Sequence, residues 1–235
     1  DFNYSIANIF SKSGAAGNSA INPKFNDSSW RTLNLPHDWA VELPFANSLN
    51  FDVMAHGYKP VGGLFPETSI GWYRKKFFVD KNDSSKKISI RFDGIYRDAN
   101  IWLNGFFVGN NKSGYSGIEY DVSDFVKYGE ENTLVVRVDA TQYEGWFYEG
   151  AGIYRHVWLI KTDKFHINPN ELFIHSKQTN KSAIVSVEIP IVNDNLESAN
   201  GDTYTYITDR DGRKISQSKA TSFRISAYSN KLIKQ

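Results

Sequence analysis

The sequence contains no cysteine and a single methionine among its 235 residues. Without thiols there is no disulfide framework, no thiolate nucleophile and no zinc–thiolate site, so packing and hydrogen bonds have to hold the fold. An excess of one charge is missing too: 27 Lys and Arg stand against 26 Asp and Glu, for a formal net charge of +1. That balance builds no field to gather nucleic acid or an anionic membrane, and neither is expected as a partner. No apolar run approaches the about 18 residues that a membrane-crossing helix needs. The chain opens at Asp1 with neither an initiator Met nor a signal-like apolar stretch, which reads as a trimmed start.

What the chain has instead is rings and strands. Aromatic residues make up 15% of it, with 6 Trp, 13 Tyr and 16 Phe, enough to fill a β core and to leave rings for stacking on a ligand. Short β-branched and aromatic runs alternate with clusters of Gly, Asn, Asp and Ser. Trp72–Asp80, Lys86–Ile95, Ala99–Asn110, Asn132–Ala140 and Tyr154–Thr162 read as strands. Ile88, Ile90 and Phe92 alternate with Ser89 and Arg91, the period of a strand with one wet face. Asn104-Gly105, set inside the third run, reads as a two-residue hairpin turn with both residues at positive φ.

A short turn is expected around Asp124–Tyr128, and no segment carries a convincing amphipathic helix. The fold class predicted is therefore all-β, a sandwich or jelly roll. After Phe165 Trp and Gly thin out, alternation is cleaner, and Asp209–Lys214 reads as a hairpin. This tail resembles an immunoglobulin-like sandwich, but about seventy residues are present where such a domain needs about 100. The expected division is residues 1–165 and residues 166–235, the second domain incomplete.

The densest cluster of chemistry-bearing side chains lies in Tyr143–Ile160: Tyr143, Glu144, Trp146, Phe147, Tyr148 and Glu149, followed by Gly150, Ala151 and Gly152. Three readings fit: a sugar-binding surface, half of a catalytic carboxylate pair, or a packed corner of the sandwich. A glycosidase needs two carboxyls held on rigid walls, and nothing adjacent supplies walls for Glu144 and Glu149. The rings suit contact with the apolar face of a sugar, or else plug the end of the sandwich. The glycines let the backbone turn sharply into the next strand. His37-Asp38 in "LPHDW" has the residue types of acid–base or metal chemistry, yet with no third partner nearby it reads as a hydrogen-bonded corner. Arg97-Asp98 reads as an ion pair or turn contact, and Asn168–Glu171 as a linker at the domain junction. The "DRDG" of Asp209–Gly212 lacks the later ligands of a calcium loop.

Six stretches stand in one collinear order: "LPHDW", "GWYRKKFFV", "RFDGIYRDANIWLNGFFVG", "SGYSGIEYDVSDFV", "NTLVVRVD" and "GWFYEGAGIYRHVWLI". Together they resemble the N-terminal sugar-binding domain of glycoside hydrolase family 2, the β-galactosidase and β-glucuronidase group, over roughly residues 28 to 165. The resemblance implies a galactose-binding-like jelly roll, then an immunoglobulin-like sandwich, then a TIM barrel that carries both catalytic glutamates. A barrel takes about 250 residues, and no such segment lies within these 235. No catalytic residue is therefore assigned to Glu144, Glu149 or Glu171. By position in the family, Trp146, Tyr148 and Glu149, with Tyr143 and Glu144 beside them, are the expected substrate-binding residues. Where some relatives place a galactose- and metal-holding Asp, this chain has Trp146.

The function implied is the non-catalytic N-terminal portion of a retaining exo-β-glycosidase of β-galactosidase type, with carbohydrate and the intramolecular barrel as partners. An autonomous carbohydrate-binding module and a purely structural interface domain are the alternatives. No cofactor is expected, although a structural cation held by backbone oxygens would leave no motif. A homo-oligomer and a periplasmic or secreted location are compatible with this reading.

Overall fold

The computed structural model describes residues 2–6, 19–42, 70–140 and 150–235. It divides into two compact units, Asp1–Lys161 and Thr162–Gln235. The fold is all-β, built from sandwich-type sheets. No described helix is long and apolar enough to cross a membrane.

In the first unit, β1 (Phe2–Ile6), β2 (Arg31–Leu33), β3 (Ile70–Val79), β5 (Ala99–Leu103), β6 (Phe106–Asn111) and β8 (Glu130–Asp139) form a six-stranded sheet in the order β2-β1-β3-β8-β5-β6. β7 (Ile118–Asp121), β4 (Lys86–Phe92) and β9 (Val157–Asp163) form a three-stranded sheet with β4 central; β9 runs on past Lys161. β3 pairs antiparallel with β8 from Ile70↔Asp139 to Val79↔Glu130, and β4 pairs antiparallel with β7. Inward side chains of the two sheets meet in one core that includes Ile88, Ile90 and Phe92 from β4 and Ile101, Leu103, Leu134, Val136 and Val138 from the larger sheet. Period-two alternation places these residues on one face of each strand, and burying that face is what stacks the sheets.

Two local features depart from simple alternation. The first half of β3 is buried on both faces, because residues 20–30 cover the outer side: Ala20, Ile70, Trp72 and Val135 form a small second cluster, with Trp30 and Trp102 against it. Arg74, wholly enclosed, is neutralised there by Asp27 at 2.9 Å, donates also to the Ala20 carbonyl, and lies over the Phe25 ring. A buried guanidinium needs that combination of carboxylate, carbonyl and π face. Ser89, expected on the wet face of β4, is 5% exposed; Arg91, on the same face, is exposed. A central strand shelters a short side chain between its neighbours while a long one reaches out.

The expected hairpin is present. Asn104 (φ 54) and Gly105 (φ 89) both sit in the left-handed region between β5 and β6. Asn104 does more than turn: its amide donates to Phe125 O and Asn132 Oδ1, and its own oxygen accepts Thr133 N. Asn132 in turn accepts Lys127 N and donates to Lys127 O and Glu130 O. The segment expected to turn near Asp124 is thereby tied down, its chain reversal starting with Phe125 N and Val126 N on Val122 O.

The second unit holds β10 (Phe165–Ile167), β11 (Phe173–Gln178), β12 (Ala183–Asn193), β13 (Ala199–Thr203), β14 (Tyr206–Thr208), β15 (Lys214–Gln217), β16 (Thr221–Ile225) and β17 (Ser229–Lys234). β12 pairs antiparallel with β10, β11 and β17, while β13–β16 and β14–β15 are separate two-stranded ribbons. The hairpin expected at Asp209–Lys214 joins β14 to β15, with Gly212 at φ 80 and Asp209 Oδ1 accepting from Asp211 N and Arg213 N. Asn168–Glu171, expected to link domains, is instead a turn inside this unit that carries the chain from β10 to β11. Asn168 N donates to Pro190 O, which keeps the turn against β12.

Candidate functional site

Two distant stretches meet at a corner of the first unit. His37 N donates to Ile153 O at 2.8 Å and Trp39 N to Ala151 O at 2.9 Å, so residues 37–39 lie alongside 151–153. From the other side Tyr96 and Gly152 exchange both main-chain hydrogen bonds, at 2.9 and 2.7 Å. Asp38 locks the junction: its Oδ1 accepts Ala151 N at 2.8 Å and Ala40 N at 2.9 Å. Burial raises the Asp38 carboxyl above the usual range, against the lowering effect of those two N–H groups.

Space at the corner dictates its glycines. Gly152 holds φ 121, and a Cβ there would stand 2.4 Å from Tyr73 Oη and 2.7 Å from His37 O. A Cβ at Gly150 would meet Asp38 Oδ2 at 2.5 Å. Only a residue without a side chain allows this approach.

Behind the corner lies a polar network spread along the chain. His37 Nδ1 faces Tyr73 Oη at 2.7 Å, and its Nε2 is 2.8 Å from Arg31 Nη2 and 3.2 Å from Glu42 Oε1. Arg31 also donates to both Glu42 oxygens at 2.9 Å. Donation from Arg31 to Nε2 keeps the imidazole neutral with its proton on Nδ1, toward Tyr73. Burial depresses the His37 pKa, outweighing the opposing pull of Glu42. For Glu42 burial acts upward, but the Arg31 hydrogen bond and the Arg31 charge leave its pKa below the ordinary value. Tyr4 and Trp39 pack on this cluster, Tyr4 with its ring centroid 4.7 Å from that of His37. Burial raises the Tyr73 and Tyr4 hydroxyls far above their usual range.

His37 and Asp38 thus form the hydrogen-bonded corner that their sequence suggested. Among the described residues no three His, Asp or Glu side chains converge as metal ligands. Tyr143, Glu144, Trp146, Tyr148 and Glu149 lie outside the described residues, between Ala140 and Gly150. What the structure adds is the anchoring at either end of that stretch. Ala140 is fully buried and Asp139 N donates to Arg97 O, while Gly150 and Ala151 press on Asp38. Arg31, Glu42 and Tyr73 were not singled out from the sequence; His37 and Tyr73 are 36 positions apart, and no local motif joins them.

Sequence comparison places this two-sheet sandwich in a family. Residues 26–163 match the family model for the glycosyl hydrolases family 2 sugar binding domain, and the chain belongs to that family. It is 35% identical to Beta-galactosidase BoGH2A of Bacteroides ovatus over 207 residues, 87% of this chain and 23% of that protein. It is 37% identical to a putative beta-glucuronidase of Formosa agariphila over 168 residues, 71% of this chain and 15% of that one. Among solved structures, a glycosyl hydrolase family 2 member from Bacteroides cellulosilyticus superposes with a TM-score of 0.85 at 29% identity, covering all of this chain and 29% of that one. A Bacteroides uniformis beta-glucuronidase shares the fold, with a TM-score of 0.80 at 22% identity, across 100% of this chain and 26% of that one. The chain spans less than a quarter of the length of the two curated relatives.

Proposed function

We propose that this chain is the non-catalytic sugar-recognition portion of a retaining exo-β-glycosidase of β-galactosidase type. Hydrolysis occurs on a pair of carboxylates in a separate catalytic barrel, at the about 5–5.5 Å separation of a retaining pair. The chain's part is to hold the stretch 141–149, with Trp146, Tyr148, Glu149, Tyr143 and Glu144, at the mouth of that barrel. The observation that carries this reading is the corner of Asp38, Gly150, Ala151 and Gly152, which anchors the end of that stretch with two main-chain pairings and a half-buried carboxylate. A ring fixed in this way stacks on a terminal sugar and positions it without taking part in bond cleavage. Family membership and similarity to proteins named as a beta-galactosidase and a beta-glucuronidase support the substrate class. A periplasmic or secreted location and a structural cation on backbone oxygens are compatible with this role.

The experiment is a titration of the 235-residue chain with galactose, glucuronate and mannose, followed by tryptophan fluorescence, with Trp146→Ala alongside. The proposal expects no saturable response from the isolated chain, because it supplies one wall of the pocket. Saturable binding abolished by Trp146→Ala would overturn it in favour of an autonomous carbohydrate-binding module.

A further inference from the structure

The corner of the first unit reaches a further stretch of chain. The main chains of residues 37–39 and of Tyr96 flank residues 151–153 on opposite edges. Residues 112–117, which join β6 to β7, are fastened to the Tyr96 side. The Tyr154 hydroxyl donates to Gly114 O at 2.8 Å, and Gly114 lies so close to the Tyr96 ring that a Cβ would collide with it. A Cβ at Gly117 would stand 3.3 Å from Phe92 O. This loop is therefore packed on the same chain segment that pairs with Gly152.

The loop is also tied to itself. Asn111 Oδ1 accepts Ser113 N at 3.1 Å, its amide donates to Ser116 O at 3.2 Å, and Ser113 Oγ accepts Tyr115 N at 3.2 Å. At the tip Tyr115 is 53% exposed, its ring edge-on to that of Tyr96 with centroids 5.7 Å apart. A tyrosine held in this way offers an apolar face and a hydroxyl at little cost in conformational freedom. A pyranose ring presents the matching pair, an apolar face and hydroxyls.

We propose that Tyr115 is a second recognition ring of the site, contacting the sugar next to the terminal one, on the leaving-group side of the scissile bond. The inference rests on the sugar-recognition reading of residues 141–149. Asp38 grips Gly150 and Ala151 from the 37–39 edge of residues 151–153, whereas Tyr115 reaches them through Tyr96 on the opposite edge. Two chains that flank a common neighbour lie about 10 Å apart, twice the interstrand spacing. Rings set off from those two edges suit two successive sugars of a glycan, not two sides of one sugar. The substrate class implied is an oligosaccharide with at least two residues at the site.

The test is steady-state kinetics of the full-length protein on a β-linked galactosyl disaccharide and on methyl β-galactoside, which keeps the terminal sugar and lacks the second ring. Tyr115→Ala is expected to raise KM for the disaccharide by about threefold to tenfold, the loss of one stacked ring. KM and kcat for methyl β-galactoside should stay as they are, which also shows that the variant is folded. Tyr115→Phe, which keeps the ring, should recover most of the loss. An equal change on both substrates, or none on either, overturns the inference. Trp146→Ala separates this failure from that of the underlying reading: a raised KM on both substrates upholds recognition by residues 141–149 whatever Tyr115 does, and no change on either removes that reading and this inference with it.

Discussion

The two units of this chain solve the same packing problem to different degrees. In the first, both sheets contribute to a continuous core in which Ile88, Ile101, Leu103 and Val136 are wholly enclosed, and even the outer face of β3 is roofed by residues 20–30. In the second, Val187, Ile189, Ile191, Phe223, Ile225 and Ile233 form a small cluster, while Phe173, Ile174, Ile184 and Ile215 stay more than half exposed. A sheet is closed into a sandwich where a second sheet covers it, and the two sheets of the first unit cover each other. The enclosed unit also carries the features that demand exact space, a glycine under a tyrosine hydroxyl and a neutral histidine between an arginine and a tyrosine.

The comparison yields an ordered set of expectations. Gly152→Val should have the largest effect, about 4 kcal/mol or more, because it combines left-handed backbone with a Cβ inside Tyr73 and the His37 carbonyl. Urea unfolding of the first unit, followed by tryptophan fluorescence, measures it. Ile101→Ala should cost about 3–5 kcal/mol, since the residue is fully buried. The same change at Ile174, 60% exposed on β11, should stay within about 0.5 kcal/mol. Equal losses at the two isoleucines would erase the distinction between the units. Tyr73→Phe should cost about 1–3 kcal/mol, removing the hydroxyl that faces His37 Nδ1 and leaving a buried ring nitrogen unpaired.

The smallest effect expected is a pH dependence. The His37 pKa is depressed in the folded state, so the unfolded chain binds more protons below the ordinary histidine value of 6.5. Its contribution to stability is complete above that value and is lost as pH falls through the lower folded pKa. Glu42, also depressed, adds a second loss below its ordinary 4.5. Asp38, raised by burial, acts with the opposite sign over its own range. His37→Gln should flatten the decline below pH 6.5, as read from chemical unfolding at a series of pH values; an unchanged slope would remove His37 from the account.

Much of the first unit was legible because its signals are local. The alternation of Ile88, Ile90 and Phe92 and the Asn104-Gly105 turn need only neighbouring residues to be read. The buried Arg74 was not, because what makes it tolerable, Asp27 and the Ala20 carbonyl, comes from 47 and 54 positions away. Asn104 illustrates both cases: its turn is written in the dipeptide, but its bonds to Asn132 and Phe125 depend on how β8 and the preceding turn fall in space. At the candidate site, "LPHDW" and the glycines flanking Ala151 each announced a corner, and nothing in either announced that they form the same one. The substrate-binding assignment of Trp146 and its neighbours rested on family resemblance, and the structure contributes the anchoring of the stretch that holds them.

The most direct measurement of the proposed function is steady-state kinetics of the full-length protein on an aryl β-galactoside, comparing Trp146→Ala and Asp38→Ala with the unaltered protein. Loss of a stacked ring, at the about 0.5–1.5 kcal/mol such contacts contribute, is expected to raise KM several-fold in Trp146→Ala while kcat changes little. Asp38→Ala, which frees the end of the stretch, should move KM in the same direction. An unchanged KM in both variants would contradict a role for this corner and its loop in holding the sugar.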